Sequence, residues 1–164
     1  MFFERGFDQV SVREIAEAAD VSTTTLFKHF PSKEALIFDE EIDHEAELKA
    51  CVENRPTGQA IPDALRDYLL RILRRVKNDP RQAAFHGLIE SSDALRDYND
   101  RMWTRHETAL AATIAAQSGR PDGDLACAAL AHFALQTRQL ARVHADPTSA
   151  VNAAFDLLEN GWRP

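Results

Sequence analysis

Hydrophobic residues recur three or four positions apart along most of this chain, which is the spacing of one face of an α-helix. The clearest stripe runs from Ile61 to Val76, and residues 124–143 are rich in alanine and leucine. No alternation typical of a β-strand stands out, and neither does a repeat period. The pattern therefore predicts an all-α fold.

Turn-forming residues divide the longer C-terminal part of the sequence into segments. Breaks are predicted at Arg55–Gly58, Asn78–Pro80 and Asp146–Pro147. Between them the sequence predicts helices over 33–53, 61–76, 81–90, 93–118, 124–143 and 150–162. The acidic run Asp39–Glu41 is predicted to lie on a solvated face of the first of these helices.

Near the N-terminus the pattern changes to two short helices joined by a tight turn. Ser11 and Glu14 form a capping box, in which each side chain can accept a hydrogen bond from the other residue's backbone N–H. Four apolar residues then share one helical face: Val12, Ile15, Ala16 and Ala19. Asp20 marks the turn, because Asp tolerates a left-handed backbone better than most residues. Ser22 is predicted to cap the second helix and Pro31 to end it.

The second short helix has an apolar face and a polar face. Leu26 and Phe30, four positions apart, share the apolar face. Thr24, Thr25 and Lys28 point broadly the opposite way. Threonine can contact base edges and thymine methyl groups, and lysine can reach guanine acceptors in the major groove. Two such helices followed by the start of a third are the layout of a helix-turn-helix DNA reader.

Other interpretations of this region stay open. Thr23 to Thr25 could simply be solvated, although three β-branched residues in a row are poor helix formers. Phe27 could be a core residue or an apolar contact to DNA. Ser32 is predicted to cap the next helix, whose N-terminal N–H groups, together with Lys33, could hold a backbone phosphate.

The composition limits how such a reader could work. The net charge is −7, and residues 1–38 hold four basic and six acidic side chains. DNA binding would therefore rest on a few placed cations and on dimerisation.

No apolar run approaches the roughly 20 residues that span a bilayer, and no signal peptide is visible. Cys51 and Cys127 lack metal-type spacing, so a reducing cytoplasm is the simplest setting, with inert buried thiols favoured over a sensing thiol.

Residues 2–36 resemble the N-terminal domain of the TetR/AcrR family of transcriptional regulators. The matching elements keep the family's order and spacing: Phe3 with Gly6-Phe7, Val10-Ser11-Val12, Ile15-Ala16, Ala19, Val21-Ser22, Thr25-Leu26-Phe27, Phe30-Pro31-Ser32-Lys33 and Leu36. The resemblance implies a helix-turn-helix DNA-binding domain over residues 1–38 and a helical ligand-binding and dimerisation domain over residues 39–164. It implies a homodimeric repressor that binds palindromic operator DNA and is released by a small-molecule effector, with no cofactor.

By position, the resemblance assigns DNA contacts to seven residues: Thr23, Thr24, Thr25, Phe27, Lys28, His29 and Lys33. The sequence departs from the family at Asp20 and Thr24, where glycine is common. It also departs at Phe27, where a tyrosine would add a phosphate contact. The family's first helix begins well before the position of Gly6. We therefore expect an in-frame upstream extension with amphipathic spacing and some Arg or Lys.

The C-terminal helices carry aromatic and polar groups that could line an effector cavity, since ligand pockets are mostly apolar with a few directed polar groups. The candidates are Phe85, His86, Tyr98, Met102, Trp103, His106, His132, Phe133 and Arg138. Arg138 and Arg142 could meet a carboxylate or phosphate, as in an acyl-CoA or an acidic metabolite. Acidic groups across a dimer would explain them equally well.

The small residues of 124–143, together with the last helix, favour a dimer interface built as a four-helix bundle across a two-fold axis. Ordinary packing within one chain is the alternative explanation of the same residues. The resemblance favours the dimer.

Catalysis is not expected from this sequence. His86, His106 and His132 lack metal-binding spacing, no glycine-rich phosphate loop follows a strand, and Ser91-Ser92 fits a helix cap better than a nucleophile. The rival hypothesis to a repressor is a helical dimer that has lost DNA binding and acts through protein contacts.

Overall fold

The computed structural model describes residues 1–38, 41–76 and 81–162, with the backbone alone for residues 41–43. Its α-helices are α1 (Phe2–Arg5), α2 (Val12–Ala18), α3 (Thr23–His29), α4 (Glu41–Glu53), α5 (Ile61–Val76), α6 (Arg81–Glu90), α7 (Asp93–Ser118), α8 (Leu125–Val143) and α9 (Pro147–Asn160). These residues contain no strand, which confirms the all-α prediction. None of the described helices has the length and apolar character to cross a membrane. The predicted acidic run Asp39–Glu41 and the predicted break Asn78–Pro80 fall outside the described side chains.

The predicted caps of the two short N-terminal helices are confirmed. Ser11 Oγ accepts a hydrogen bond from the Glu14 backbone N–H at 3.2 Å, and the Glu14 carboxylate accepts one from the Ser11 N–H at 2.8 Å. Ser22 Oγ accepts from the Thr25 N–H at 3.0 Å. Asp20, between the helices, has a φ of 54°, the left-handed conformation expected at the turn. Local side-chain chemistry therefore sets both helix starts and the turn between them.

The single helix predicted over 33–53 is wrong. The chain instead forms a 3-10 turn at Glu34–Leu36, and α4 begins at Glu41. Ile37 and Phe38 follow the turn without helical structure, and Phe38 is only 3% exposed because it packs among other aromatic side chains. Burial of this ring therefore overrides the helical pattern of the surrounding sequence.

The last helix begins three residues earlier than the predicted start at residue 150. Asp146 caps it, because its carboxylate accepts hydrogen bonds from the N–H groups of Thr148 and Ser149. Pro147 occupies the first turn, where its fixed φ suits a helix and its missing N–H costs nothing. The predicted break at Pro147 is thus a helix start.

The first of two compact units contains α1–α3, α6 and the N-terminal part of α7 up to Trp103. Its buried core consists of Phe7, Phe38, Leu88, Ile89, Leu95 and Met102, with Phe2, Ile37, Phe85, Tyr98 and Trp103 packed against it. We call these eleven side chains the aromatic cluster. The segments on either side of the helix-turn-helix, which contain Phe7 and Phe38, thus share one core with residues that come much later in the sequence.

The second compact unit contains most of α4, α5, the remainder of α7, α8 and α9. Helix α9 packs on both α5 and α8. The largest side chains buried here are Phe155, Leu48, Leu65, Leu110, Val52 and Val151. Arg66 of α5 adds ion pairs with Asp156 and Glu159 of α9. This unit is a bundle held by aliphatic contacts with an electrostatic contact at its edge.

The capping box makes a prediction about acid stability. Hydrogen bonds from the backbone N–H and the hydroxyl of Ser11, with a further contribution from Arg5, lower the pKa of Glu14 from 4.5 to about 2. The folded state therefore favours the carboxylate. This stabilisation is present above about pH 4.5 and is lost as the pH falls towards 2. Glu14→Gln keeps a capping oxygen and should flatten the fall of melting temperature between about pH 5 and about pH 3.

Glu17→Gln removes the same charge from the same helix without altering the cap, so it should keep the wild-type dependence on pH. Thermal melts of the three proteins across this pH range make the comparison. Parallel curves for wild type and Glu14→Gln would contradict the role assigned to Glu14.

Candidate nucleic-acid interface

Helix α3 turns one residue to the interior and most of the others to solvent. Leu26 is 8% exposed. Six of the predicted DNA contacts are exposed on this helix: Thr23, Thr24, Thr25, Phe27, Lys28 and His29. The helix is seven residues long, starting after Ser22 and ending before Phe30. The fold therefore gathers these six side chains on one short, protruding surface.

The chemistry of this surface suits a DNA groove. Phe27 is 48% exposed, which is unusual for a large apolar ring within a helix and leaves it able to contact a sugar or a thymine methyl group. The hydroxyl groups of Thr25 and Ser22 lie 2.8 Å apart. Thr25 therefore strengthens the cap of α3 as well as contributing to the exposed surface.

Two of the four basic side chains of residues 1–38 are held by neighbouring acids. Arg5 pairs with Glu14 at 2.9 Å, and Arg13 pairs with Glu17 at 2.8 Å. Lys28 forms no ion pair with any side chain in the described parts of the chain. Lys28 is accordingly an exposed cation on α3 that no acidic side chain of the described residues neutralises.

Lys33 is placed differently from the other six predicted contacts. Its ammonium group donates a hydrogen bond to the Phe7 carbonyl oxygen at 2.6 Å and lies 4.0 Å from the centre of the Phe7 ring. The centre of the Phe2 ring is 5.8 Å away. Aromatic faces attract cations, so Lys33 ties the start of the 3-10 turn to the segment after α1. A phosphate would have to use the remaining N–H groups of Lys33 or displace this bond.

Five of the predicted effector-pocket residues lie in the first compact unit: Phe85, His86, Tyr98, Met102 and Trp103. Tyr98 stacks on Phe38 with 5.1 Å between ring centres, and Phe85 meets Phe38 edge-on at 5.8 Å. All but His86 belong to the aromatic cluster, and His86 adjoins Phe85. The structure therefore brings these five together as mutually packed side chains.

The other four predicted pocket residues lie in the second unit: His106, His132, Phe133 and Arg138. His106 is 4% exposed, and its Nε2 lies 3.8 Å from the carboxylate of Glu45. Burial lowers the pKa of His106, which Glu45 partly opposes, while Arg138 and two other nearby basic groups lower it further. His106 is therefore buried, with the Glu45 carboxylate and the half-buried Arg138 both nearby.

His132 and Phe133 contact other parts of the second unit. His132 is exposed, and its Nδ1 lies 3.0 Å from a carboxylate oxygen of Glu107. Phe133 packs edge-on against Phe155 at 5.7 Å between ring centres. The first is thus a surface contact between α7 and α8, and the second is part of the packing between α8 and α9.

An open groove of about 320 Å³ lies in the second unit, away from every residue that the sequence suggested for a pocket. It is lined by Ile61, Pro62, Ile114, Ser118, Arg120, Ala126, Cys127 and Leu130. These residues come from the start of α5, the end of α7 and the start of α8 with the loop before it. No local sequence signal marks such a groove, because it depends on where three helices end.

The two cysteines behave as ordinary buried thiols. Burial raises the pKa of Cys51 to about 11 and also raises the pKa of Cys127. Neither thiol is therefore a thiolate near neutral pH, which is the form that reacts with oxidants. This favours the inert interpretation over a redox sensor.

Residues 1–39, which hold this exposed helix and its caps, match a family described as bacterial regulatory proteins, tetR family. Over 98% of its length the chain is 28% identical to MftR of Mycobacterium tuberculosis, a proposed mycofactocin biosynthesis transcriptional regulator, and it covers 85% of that protein. Residues 1–39 are therefore a TetR-family DNA-binding domain.

Two solved structures share this helical fold over nearly the whole chain. GusR of Salmonella enterica aligns with 98% of this chain and 88% of its own, with a TM-score of 0.60 and 22% identity. FadR from Bacillus subtilis, a transcriptional regulator in complex with stearoyl-CoA, aligns with 99% of this chain and 94% of its own, with a TM-score of 0.54 and 19% identity. These structures support the helical fold, while the match of residues 1–39 to the family confirms the resemblance drawn from the N-terminal motifs.

Membership of the TetR family identifies α2 and α3 as a DNA-binding helix-turn-helix and the protein as a regulator of transcription rather than an enzyme. Family membership does not identify the individual side chains that contact DNA. These depend on which residues of α3 are exposed.

Leu26 and Phe27 are neighbours on α3, so substituting each in turn distinguishes an effect on DNA binding from an effect on folding stability. Phe27→Ala removes a half-exposed ring, so it should change the free energy of unfolding by less than about 0.5 kcal/mol and weaken DNA binding several-fold. Leu26→Ala removes a buried side chain and should lower the free energy of unfolding by about 2–5 kcal/mol. Urea unfolding and DNA titration of both variants make the test. A loss of stability in Phe27→Ala as large as in Leu26→Ala would show that Phe27 is a core residue.

Proposed function

We propose that this TetR-family protein is a ligand-responsive repressor that binds a palindromic operator as a homodimer and is released by a small-molecule effector. Residues 1–38 would form the DNA-binding domain, and residues 39–164 the effector-binding and dimerisation domain. The observation that carries the proposal is the exposed surface of α3, where six polar, basic and aromatic side chains surround one buried leucine.

On this proposal α3 enters the major groove. Thr23, Thr24 and Thr25 contact base edges or thymine methyl groups, and Lys28 reaches guanine acceptors. Phe27 and His29 border the groove. Lys33 contacts a backbone phosphate from the start of the 3-10 turn. With so few cations, a single chain would bind weakly, and two half-sites would be needed for useful affinity.

A dimer interface is supported by apolar side chains left exposed near the ends of α8 and α9. They are Leu140, Val143, Leu157, Leu158 and Trp162, and their exposed fractions range from 39% for Leu158 to 78% for Val143. Exposed apolar surface of this kind is typical of a protein contact. A second copy could cover it by forming a four-helix bundle from two α8–α9 pairs.

The effector of this proposal carries an acidic group. Arg138 is half-buried near His106, and Arg142 follows one turn later on α8. Arginine pairs strongly with carboxylates and phosphates. FadR, which shares the fold, is in complex with stearoyl-CoA, an acidic thioester of this kind. Of the nine residues named from the sequence, Arg138 with its neighbour His106 is the candidate for holding this acidic group.

The effector would release the dimer from DNA by changing the distance between its two recognition helices. Two recognition helices must lie about 34–36 Å apart to enter successive major grooves. An effector that binds better to a dimer with another spacing lowers DNA affinity by the difference in its binding free energy.

The direct test is selection of genomic DNA fragments by the purified protein, followed by titration of the recovered duplex over a range of salt concentrations. Enrichment of a palindrome whose binding weakens steeply with salt supports the repressor. Absence of any enriched duplex would favour the alternative, a helical dimer that acts through protein contacts. The net negative charge of residues 1–38 is compatible with that alternative.

The two lysines should have different effects on operator binding. Lys28→Ala should weaken binding by about 1–3 kcal/mol and relax the preference at one base pair, since it removes a base contact. Lys33→Ala should weaken binding to all sequences and reduce the slope of log affinity against log salt by about 0.9 for each phosphate that is no longer neutralised. Equal slopes for wild type and Lys33→Ala would exclude the phosphate contact.

The proposed interface predicts which substitutions break the dimer. Leu140→Glu and Leu157→Glu place charge on exposed apolar positions, so each should yield a folded monomer. Loss of the second half-site should weaken operator binding about 100-fold or more. Ala112→Glu, at an exposed position of α7, is the control and should remain dimeric. Sedimentation of each variant measures its mass, and a dimeric Leu157→Glu would place the interface elsewhere.

A further inference from the structure

A buried serine of the first compact unit makes a long-range contact that helix formation does not require. Ser92 is 2% exposed, and its hydroxyl donates a hydrogen bond to a carboxylate oxygen of Asp8 at 3.0 Å, across 84 positions of sequence. The neighbouring Ser91 hydroxyl donates only to the Leu88 carbonyl, one turn earlier. A buried hydroxyl is costly without a partner, so Ser92 depends on Asp8 for its hydrogen bond.

Asp8 lies in the loop between α1 and α2, and this loop is held from two sides. Lys33 binds the carbonyl oxygen of Phe7 at 2.6 Å, which fixes the loop to the segment after α3. Ser92, just before α7, binds the side chain of the next residue, Asp8. Phe7 and Val10 bury their side chains on either side of that contact. The loop is thus the joint between the helix-turn-helix and the helices α6 and α7.

The apolar contacts and the hydrogen bond at this joint have different roles. Phe7 packs in the aromatic cluster against Leu88, Ile89 and Leu95, and apolar burial of this kind has no directional preference. A hydrogen bond weakens steeply when its distance or angle changes. The apolar packing therefore holds the helix-turn-helix in place, while the Asp8–Ser92 bond selects one orientation of it on α6 and α7.

We propose that Ser92 is a positioning residue for DNA binding: acting through Asp8, its hydroxyl sets the orientation in which α3 is presented to the operator. The proposal rests on the repressor function proposed above, since it concerns the same DNA-binding helix. Ser92 itself is buried beyond the reach of DNA. Its removal should alter how α3 fits the groove without removing any group that touches a phosphate.

Asp8 offers a matched pair of substitutions. Asp8→Asn and Asp8→Ala both remove the negative charge, but only asparagine keeps an oxygen that can accept from Ser92. The probe is a labelled duplex selected from random sequence by the wild-type protein, with a scrambled duplex of equal length as the non-specific reference. Titrations are run at one salt concentration, well below the melting temperature of each variant.

Asp8→Ala and Ser92→Ala should each bind the selected duplex about three- to tenfold more weakly than Asp8→Asn, as expected for one hydrogen bond. The double variant should bind no more weakly than either single variant, because both remove the same contact. Affinity for the scrambled duplex should be equal in Asp8→Asn and Asp8→Ala. A purely structural role would lower the melting temperature and leave the ratio of specific to non-specific affinity unchanged.

Equal binding of the selected duplex by Asp8→Ala and Asp8→Asn would overturn the proposal and leave the repressor function intact. A wild-type protein that selects no duplex would overturn the repressor function and this proposal with it. If Ser92→Ala fails to fold, the Asp8 pair decides alone, because Asp8 lies on the surface.

Discussion

The structure of the DNA reader depends on the burial of Phe7 and Phe38 in a core that α2 and α3 cannot provide. Each of these helices has seven residues, too few to be stable alone in water. Caps at Ser11 and Ser22 define where they start, yet caps contribute only about 1 kcal/mol each. The segments that flank these helices are anchored through Phe7 and Phe38 in the aromatic cluster, most of whose other members belong to α6 and α7. The reader is therefore built on residues that follow it in the sequence by more than forty positions.

This dependence matters because the DNA-binding region attracts phosphate groups only weakly. Residues 1–38 carry more acidic than basic groups, and Arg5 and Arg13 are paired with neighbouring acids. A strongly basic protein can tolerate some error in its fit, because phosphate attraction acts in any orientation. On the proposed function, affinity comes from a few correctly placed side chains and from two copies acting together. The proposed role of the contacts around Asp8, from Lys33 and Ser92, is to orient those side chains.

The parts of this fold that depend on local chemistry could be predicted from the sequence. The capping box at Ser11, the left-handed Asp20 and the limits of α6 need only residues within one turn of each other. Prediction was wrong where a distant partner decides the outcome. Phe38 leaves the helical pattern because the aromatic cluster buries it. The hydrogen bond from Lys33 to a carbonyl oxygen 26 positions earlier also has no local sequence signal, although it does not contradict the predicted phosphate contact. The exposed residues of α3 follow from helical spacing, whereas the groove between helix ends has no counterpart in the sequence pattern.

The central claim is that α3 enters the major groove of two half-sites. Methylation interference on the selected duplex tests this directly, since methylating guanine N7 blocks the major groove and methylating adenine N3 blocks the minor groove. The account predicts interference at guanine N7 in two symmetric patches centred about one helical turn apart. Interference confined to adenine N3, or confined to a single patch, would contradict it.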